Sequence, residues 1–278
     1  MKTYILPIII TLSSVSITVA QTLKLVWTSD TTLRVPESVY YHAEEDMLYV
    51  SNINGKSSEK DGNGFISKVL PDGTITSLKW ATGLDAPKGM GCLKDQLYVA
   101  DLTRVVVIDM KSGKILNSIE IDGAQFLNDV TVNTAGEVFV SDSATGNIFR
   151  IVNSKAELYF SHGFKRVNGL LAIDDGIYIA DAGTGINYIL DKHKNLERYT
   201  ETSQGADGIV TIGNGSYIVS SWSGEVFFVN ENKIAVKILD TKERKLNSAD
   251  IDFNESKNII YVPTFFGNSV MAYELSAR

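Results

Sequence analysis

The chain is predicted to be all-β, a six-bladed β-propeller closed by pairing of an N-terminal strand into the last blade. Three observations predict it. A short strand motif recurs six times, a polar position recurs at a fixed distance before that motif, and a lone strand precedes the first repeat while the last repeat is one strand short.

The motif is a β-branched or aromatic triplet: Leu48-Tyr49-Val50, Leu97-Tyr98-Val99, Val138-Phe139-Val140, Ile177-Tyr178-Ile179, Tyr217-Ile218-Val219 and Ile260-Tyr261-Val262. Successive triplets begin 49, 41, 39, 40 and 43 residues apart, the length of a four-stranded propeller blade. No triplet contains a helix breaker, and no window sustains the three-to-four spacing that a helical repeat of this length needs. A small or polar residue follows each triplet, as in Ser51-Asn52, Ala100-Asp101, Ser141-Asp142, Ala180-Asp181, Ser220-Ser221 and Pro263-Thr264. A further strand comes next, as at 104–108, 147–151 and 225–229. Asn-Gly, Asp-Gly and Gly-Asn pairs among 22 glycines suit tight hairpins. A parallel β-helix is the rival architecture, but its repeats are usually shorter. In the last repeat, 246–253, 259–263 and 270–275 give three strands. The lone strand at 23–27 would supply the fourth and remove the open edge.

Residues 1–20 read as a signal peptide, with Lys2, an apolar stretch over 5–19, and the small-residue ending Thr18-Val19-Ala20. An uncleaved membrane anchor is the alternative, but the run is short and rich in Ser and Thr for a span of about 20 apolar residues. The expectation is export to a periplasmic or extracellular space, with one domain over 21–278. That mature part carries 25 basic and 33 acidic residues, a net charge near −8. Such a surface repels phosphate backbones and no basic cluster offsets it, which argues against nucleic acid as a partner. Nothing after residue 20 would cross a membrane, and a monomer is expected. The single cysteine, Cys92, cannot form an internal disulfide and reads as a buried small residue rather than a nucleophile.

The second station precedes each triplet's central residue by ten to twelve positions: Pro36-Glu37-Ser38, Pro87-Lys88-Gly89, Asn128-Asp129-Val130, Asn168-Gly169-Leu170, Ala206-Asp207-Gly208 and Ala249-Asp250-Ile251. In a propeller this point enters the innermost strand, so six polar side chains would converge beside the axis. Taken singly, Asn, Asp and Gly are ordinary turn residues; turn chemistry alone does not explain a shared phase in six repeats. Glu37, Asp207, Asn128 and Asn168 offer hard oxygen ligands and no soft ones, which suits Ca²⁺ or Mg²⁺, and a mixed cage completed by water suits Ca²⁺. Lys88 is the odd member. It would either repel the metal or orient an anionic or carbonyl group of a ligand.

These residues carry a resemblance. Pro-Glu in the first repeat, Asn-Asp in the third, Asn-Gly in the fourth and Asp-Gly in the fifth are similar to the senescence-marker-protein, gluconolactonase and luciferin-regenerating-enzyme family, with paraoxonases as more distant relatives. The match runs from about residue 23 to 275 on short motifs. It implies a divalent metal, usually Ca²⁺, in the central channel, held by Glu37, Asn128, Asn168 and Asp207. It also implies hydrolysis of a lactone or related ester, with the metal polarising the carbonyl and Asp207 helping to activate the attacking water. Two positions depart from the pattern. Phe126 stands where sugar-lactone members carry an Arg two residues before Asn-Asp, and Lys88 stands where paraoxonase-type members place a His. The substrate-binding group would then be Lys88, Phe126, Asp129 and Asp250, and Phe126 favours a less polar ligand than a sugar lactone.

His42, His162 and His193 match no zinc spacing, and no Gly-x-Ser-x-Gly occurs. Trp222 reads as packing between blades, with the channel mouth as the alternative. The loop 52–64, which accounts for the long first repeat, is expected to be a lid over the channel. Its Asp61-Gly62-Asn63-Gly64 hints at a calcium loop without the later ligands. Three functions are carried forward: a metal-dependent lactonase or esterase, a non-catalytic exported propeller that binds a small ligand or protein, and, with no supporting Arg and His cluster, a quinone-dependent oxidoreductase.

Overall fold

The computed structural model describes residues 21–277; the expected signal peptide lies outside them. Six four-stranded antiparallel sheets form the fold. Five are consecutive in sequence, over residues 36–84, 87–120, 127–161, 167–201 and 206–240, each running from the innermost to the outermost strand. The sixth is composite: Asp252–Asn254 lies innermost, followed by Ile259–Pro263 and Val270–Ala277, with Gln21–Thr28 as the outermost strand. The innermost strands pack side by side around a closed ring. The fold is a six-bladed β-propeller, as the repeat predicts. No helix of the described residues is long and apolar enough to cross a membrane.

The recurrent triplets explain the core. Each sits in the second strand of its blade, with both faces buried against neighbouring blades. Leu48 and Val50 join the cluster shared with blade six, whereas Tyr49 joins the cluster shared with blade two. The same alternation divides Tyr98 from Leu97 and Val99, and Tyr178 from Ile177 and Ile179. Six apolar clusters thus fill the six interfaces between blades. A strand buried on both faces cannot alternate polar with apolar residues, hence the continuous apolar triplets.

Closure follows the predicted strand. Gln21–Thr28 pairs with Val270–Ala277 in register Leu23↔Leu275, with a bulge between Leu25 and Trp27. Trp27 Nε1 donates to Pro71 O of blade one at 2.8 Å, and its ring lies 5.9 Å from that of Tyr261. One expectation needs correction: of 246–253, only the end belongs to a strand of blade six. Asp250 pairs in parallel with Ser38 of blade one instead, through Asp250 N to Glu37 O at 3.0 Å and Val39 N to Asp250 O at 3.2 Å. The inner segment of blade six is thus stitched to its neighbour.

Candidate functional site

Every inner strand of blades one to five slips register at the recurrent polar position: between Pro36 and Ser38, Pro87 and Met90, Leu127 and Val130, Val167 and Leu170, and Ala206 and Ile209. A β-bulge re-aims one side chain away from the sheet's alternation. The partner strand supplies the support. Ser51, Ser141 and Ser220 accept the backbone N–H of Ser38, Asp129 and Gly208 at 2.9 Å each. The acidic residue after the triplet holds the incoming loop: Asp101 accepts from Ala86 N at 2.8 Å, Asp142 from Gln125 N at 2.7 Å, and Asp181 from Arg166 N at 2.9 Å.

The close approach of neighbouring inner strands explains the glycines that follow Lys88, Asn168 and Asp207, and the last two are the most crowded. A Cβ on Gly169 would stand 1.8 Å from Asp207 O, and one on Gly208 would stand 2.3 Å from Ile251 N. Neither glycine has a positive φ. They are small so that the ring can close around the channel, and they are not turn residues.

Glu37, Lys88, Asn128, Asn168 and Asp207 line one cavity of about 230 Å³ at the N-terminal ends of the inner strands. All five are buried. Asn128 Nδ2 donates to Ser143 Oγ at 3.0 Å, which fixes its carboxamide and leaves the oxygen out of that bond. Glu37 Oε2 and Asn168 Oδ1 are buried acceptors with no hydrogen-bond partner among the described residues. Burial raises the Glu37 carboxyl well above its ordinary range, with the Asp207 charge adding and Lys88 opposing. Burial, then the Asp129 charge, pushes Asp207 up to about 8, against Arg166 and Asn168. Lys88 is pulled down to about 8 by burial, against the attraction of Glu37 and Asp101. Its Nζ donates to Ala86 O at 2.8 Å and sits 4.5 Å from the centroid of the Phe126 ring.

The sixth position lies elsewhere. Asp250, and Asp129 with it, line a second cavity of about 360 Å³ further along the inner strands, not the cavity of Glu37. Their carboxylates join blades: Asp250 Oδ2 accepts from Ser38 Oγ at 2.6 Å, and Asp129 Oδ2 accepts from Leu170 N at 2.6 Å. Burial raises both, Asp129 to about 7. So the expected convergence of six side chains is one of five, and two expected substrate-binding residues cross-link inner strands. Phe126 and Lys88, expected with them, do line the cavity.

Several lining residues escaped the sequence. Arg166 stands two residues before Asn168. That is the offset at which the resemblance wants an Arg before Asn128, displaced by one blade, and this was the available signal. Phe265 and Phe266 form an aromatic rim with Trp222, which takes the channel-mouth place expected as its alternative, and Ile53 and Ser57 come from the loop 52–64. That loop is tied down by Lys60 Nζ to Thr103 Oγ1 at 2.7 Å and by Gly62 N to Asp85 Oδ1 at 3.0 Å. The Asp61 carboxylate accepts from Asn63 N at 3.1 Å and from its Nδ2 at 2.6 Å, the bonding of a local turn. His42, His162 and His193 lie outside both channel cavities, and half-buried Cys92 lines the second.

Among the described residues, no three Asp, Glu, His or Cys side chains lie close enough to share a metal ion. The candidate ring needs only two carboxylates, because two carboxamides complete it. Its ligand atoms are all oxygens, two of them are buried without a hydrogen-bond donor, and its two acids are raised by burial first and by neighbouring carboxylates second. A dication would satisfy all three conditions, so the residues fit the group.

No family model and no curated protein matches the chain. Solved structures do. A candidate gluconolactonase shares 14% identity over 93% of this chain and 93% of its own, with a TM-score of 0.69. A catalytically inactive virginiamycin B lyase from Staphylococcus aureus, solved with quinupristin, shares 13% over 92% of this chain and 100% of its own, with a TM-score of 0.66. A protein of unknown function from Bacteroides thetaiotaomicron shares 10% over 92% of this chain and 76% of its own, with a TM-score of 0.68. Likeness at such identities shows the fold, and the fold is that of a six-bladed β-propeller.

Proposed function

We propose that the cavity of Glu37, Asn128, Asn168 and Asp207 binds a divalent cation, Ca²⁺ by preference, and hydrolyses a lactone or related carboxylic ester, in the manner of the gluconolactonase-like family. The observation that carries the reading is the pair of orphaned acceptors, Glu37 Oε2 and Asn168 Oδ1, buried in one cavity with Asp207. Buried oxygens without donors are costly unless a cation or water meets them. A bound dication would polarise the ester carbonyl and stabilise the oxyanion.

The chain's own residues then have distinct tasks. Held ionised by a bound dication against the burial that otherwise keeps it protonated, Asp207 would take a proton from the attacking water as the water oxygen bonds to the carbonyl carbon, and return it to the departing ring oxygen as the C–O bond breaks. Asn128 is fixed by Ser143, which pre-sets its carboxamide. Lys88 and Arg166 supply positive charge that orients an electron-rich head group, and Phe126 gives that charge an apolar backing. The protein would act as an exported monomer on a small molecule, after loss of residues 1–20.

The test is a thermal melt with EDTA and then with Ca²⁺, followed by a lactone and aryl-ester panel on wild type and Asp207→Ala. At a hundredfold excess over Kd, binding adds about 2.7 kcal/mol, worth a rise of roughly 5–10 °C for a domain of this size. No shift in wild type would defeat the metal site. A second reading, binding without chemistry, is favoured by Lys88, whose buried ammonium sets a positive charge beside the ring. A Ca²⁺ shift without turnover of any ester would support it.

A further inference from the structure

The cavity takes a polar side chain from each of five blades and only aromatic side chains from the sixth. Blades one to five each contribute a polar side chain from the bulge of the inner strand, whereas blade six contributes Phe265 and Phe266. Ala249, the residue before Asp250, is buried in an apolar cluster with Phe265, Ala86 and Ile53, and Phe126 packs on that cluster. Blade five adds Trp222 beside this face. The three rings form a chain of edge-to-face contacts: Trp222 to Phe265 at 5.5 Å, Phe265 to Phe266 at 4.7 Å and Trp222 to Phe266 at 6.0 Å.

Two features separate this group from ordinary surface hydrophobics. First, Trp222 is 40% and Phe266 65% exposed while both line the cavity. Scattered exposed apolar residues are common, but contiguous rings at the mouth of a polar cavity are not accounted for by that background. Second, the rings are held at a backbone cost. Phe265 has φ 49°, a left-handed conformation that a bulky residue adopts only when its surroundings impose it. The surroundings are visible: Thr264 N donates to Ser269 O at 2.9 Å, Ser269 N to Thr264 Oγ1 at 3.1 Å, and Thr264 Oγ1 to Ser269 O at 2.8 Å. On the other side, Asn247 Nδ2 donates to Trp222 O at 2.8 Å. The loops are built to present these rings in one position.

The cavity itself is small, about 230 Å³, below the roughly 300–1,000 Å³ of sites that enclose a drug-sized ligand. It holds a head group, and the rest of a larger ligand must leave across the rim. The way out on blade six is aromatic.

We propose that Trp222, Phe265 and Phe266 form a subsite for an aromatic group of the substrate, so that the ester or lactone carries a phenyl-sized ring rather than a chain of hydroxyls. The proposal rests on the ester-hydrolase reading for the word substrate, but the subsite itself does not require turnover. A ring stacked on or edged against the rim gains the aromatic pair energy together with burial of exposed apolar surface. Hydroxyls in the same place would lose water and find only the Trp222 indole N–H as a partner among the three rings.

The experiment compares γ-phenyl-γ-butyrolactone with γ-valerolactone, which has methyl in place of phenyl, and, as non-reacting probes, phenylpropionate with propionate. Wild type, Trp222→Ala, Phe266→Ala and a remote control, Leu158→Ala on an exposed outer strand, are compared at equal thermal stability. Expected is a phenyl preference of roughly tenfold or more in kcat/KM and in Kd for wild type and the control, falling several-fold in each rim variant. Tryptophan emission quenched by phenylpropionate in wild type but not in Trp222→Phe would place the ring at this residue. Equal preference in wild type and both rim variants, in rates and in Kd, overturns the subsite. Phenyl-selective binding without hydrolysis of either lactone upholds the subsite and counts against the ester-hydrolase reading instead.

Discussion

The Lys88 ammonium faces the Phe126 ring at 4.5 Å, and these are the two positions at which the chain departs from the motif pattern it otherwise resembles. The two side chains are in contact. A buried lysine needs compensation for lost hydration, and the ring face, Ala86 O and the Glu37 carboxylate supply it. Substitution of either residue alone would leave the other without its counterpart.

Lys88→Met keeps the volume and removes the charge. With a like charge gone from beside the oxygen ring, Ca²⁺ should bind roughly tenfold tighter, since even about 1.4 kcal/mol of relieved repulsion is a factor of ten. Calorimetric titration reads this directly. A weaker or unchanged Kd would mean that Lys88 does not act on the cation.

Gly169→Ala should be severely destabilising. Its Cβ would stand 1.8 Å from Asp207 O, so the inner strands of blades four and five must separate. A loss of roughly 3 kcal/mol or more is expected, read as a fall in Tm or as loss of soluble protein. A melt within a degree or two of wild type would contradict the close approach of these strands.

Asp252 links stability to pH. Burial pushes its carboxyl up to about 6, against hydrogen bonds from Tyr41 N and Phe253 N. Its pKa is raised, so the folded state holds this proton more tightly than the unfolded chain does. The contribution of Asp252 to stability is therefore full below about pH 4 and lost as pH rises through about 6. Asp252→Asn retains an acceptor for Tyr41 N but not a second one for Phe253 N, and should stabilise the protein above pH 6 by about 1 kcal/mol. Denaturant melts at pH 5 and pH 8 should show a flatter profile in the variant; parallel profiles would refute the assignment.

Trp27→Ala tests the latch. The indole bonds Pro71 O at 2.8 Å and packs near Tyr261, joining the last blade to the first. Its loss should cost roughly 3 kcal/mol. Trp27→Phe should recover part of that by restoring the packing without the hydrogen bond, and chemical denaturation ranks the three. Equal stability of all three would mean that closure rests on the strand pairing alone.

Much of this molecule was legible in the chain. Apolar triplets at a near-constant spacing dictate two-faced strands, and two-faced strands dictate blades with a neighbour on each side. The missing fourth strand of the last repeat and the lone strand at its other end determined the closure. Glu37, Lys88, Asn128, Asn168 and Asp207 could be read from phase, because a repeat places equivalent residues at equivalent points. Only the tertiary structure decided the rest. Asp250 shares the phase, but its segment leaves its own sheet to pair with blade one, and in extended chain one residue of offset turns a side chain to the other side. Arg166, Trp222, Phe265 and Phe266 reach the cavity from connections between strands. Arg166 shares its offset with Phe126 one blade earlier, but no repeat places the other three, and their direction depends on hydrogen bonds such as Thr264 to Ser269 that only the folded chain forms.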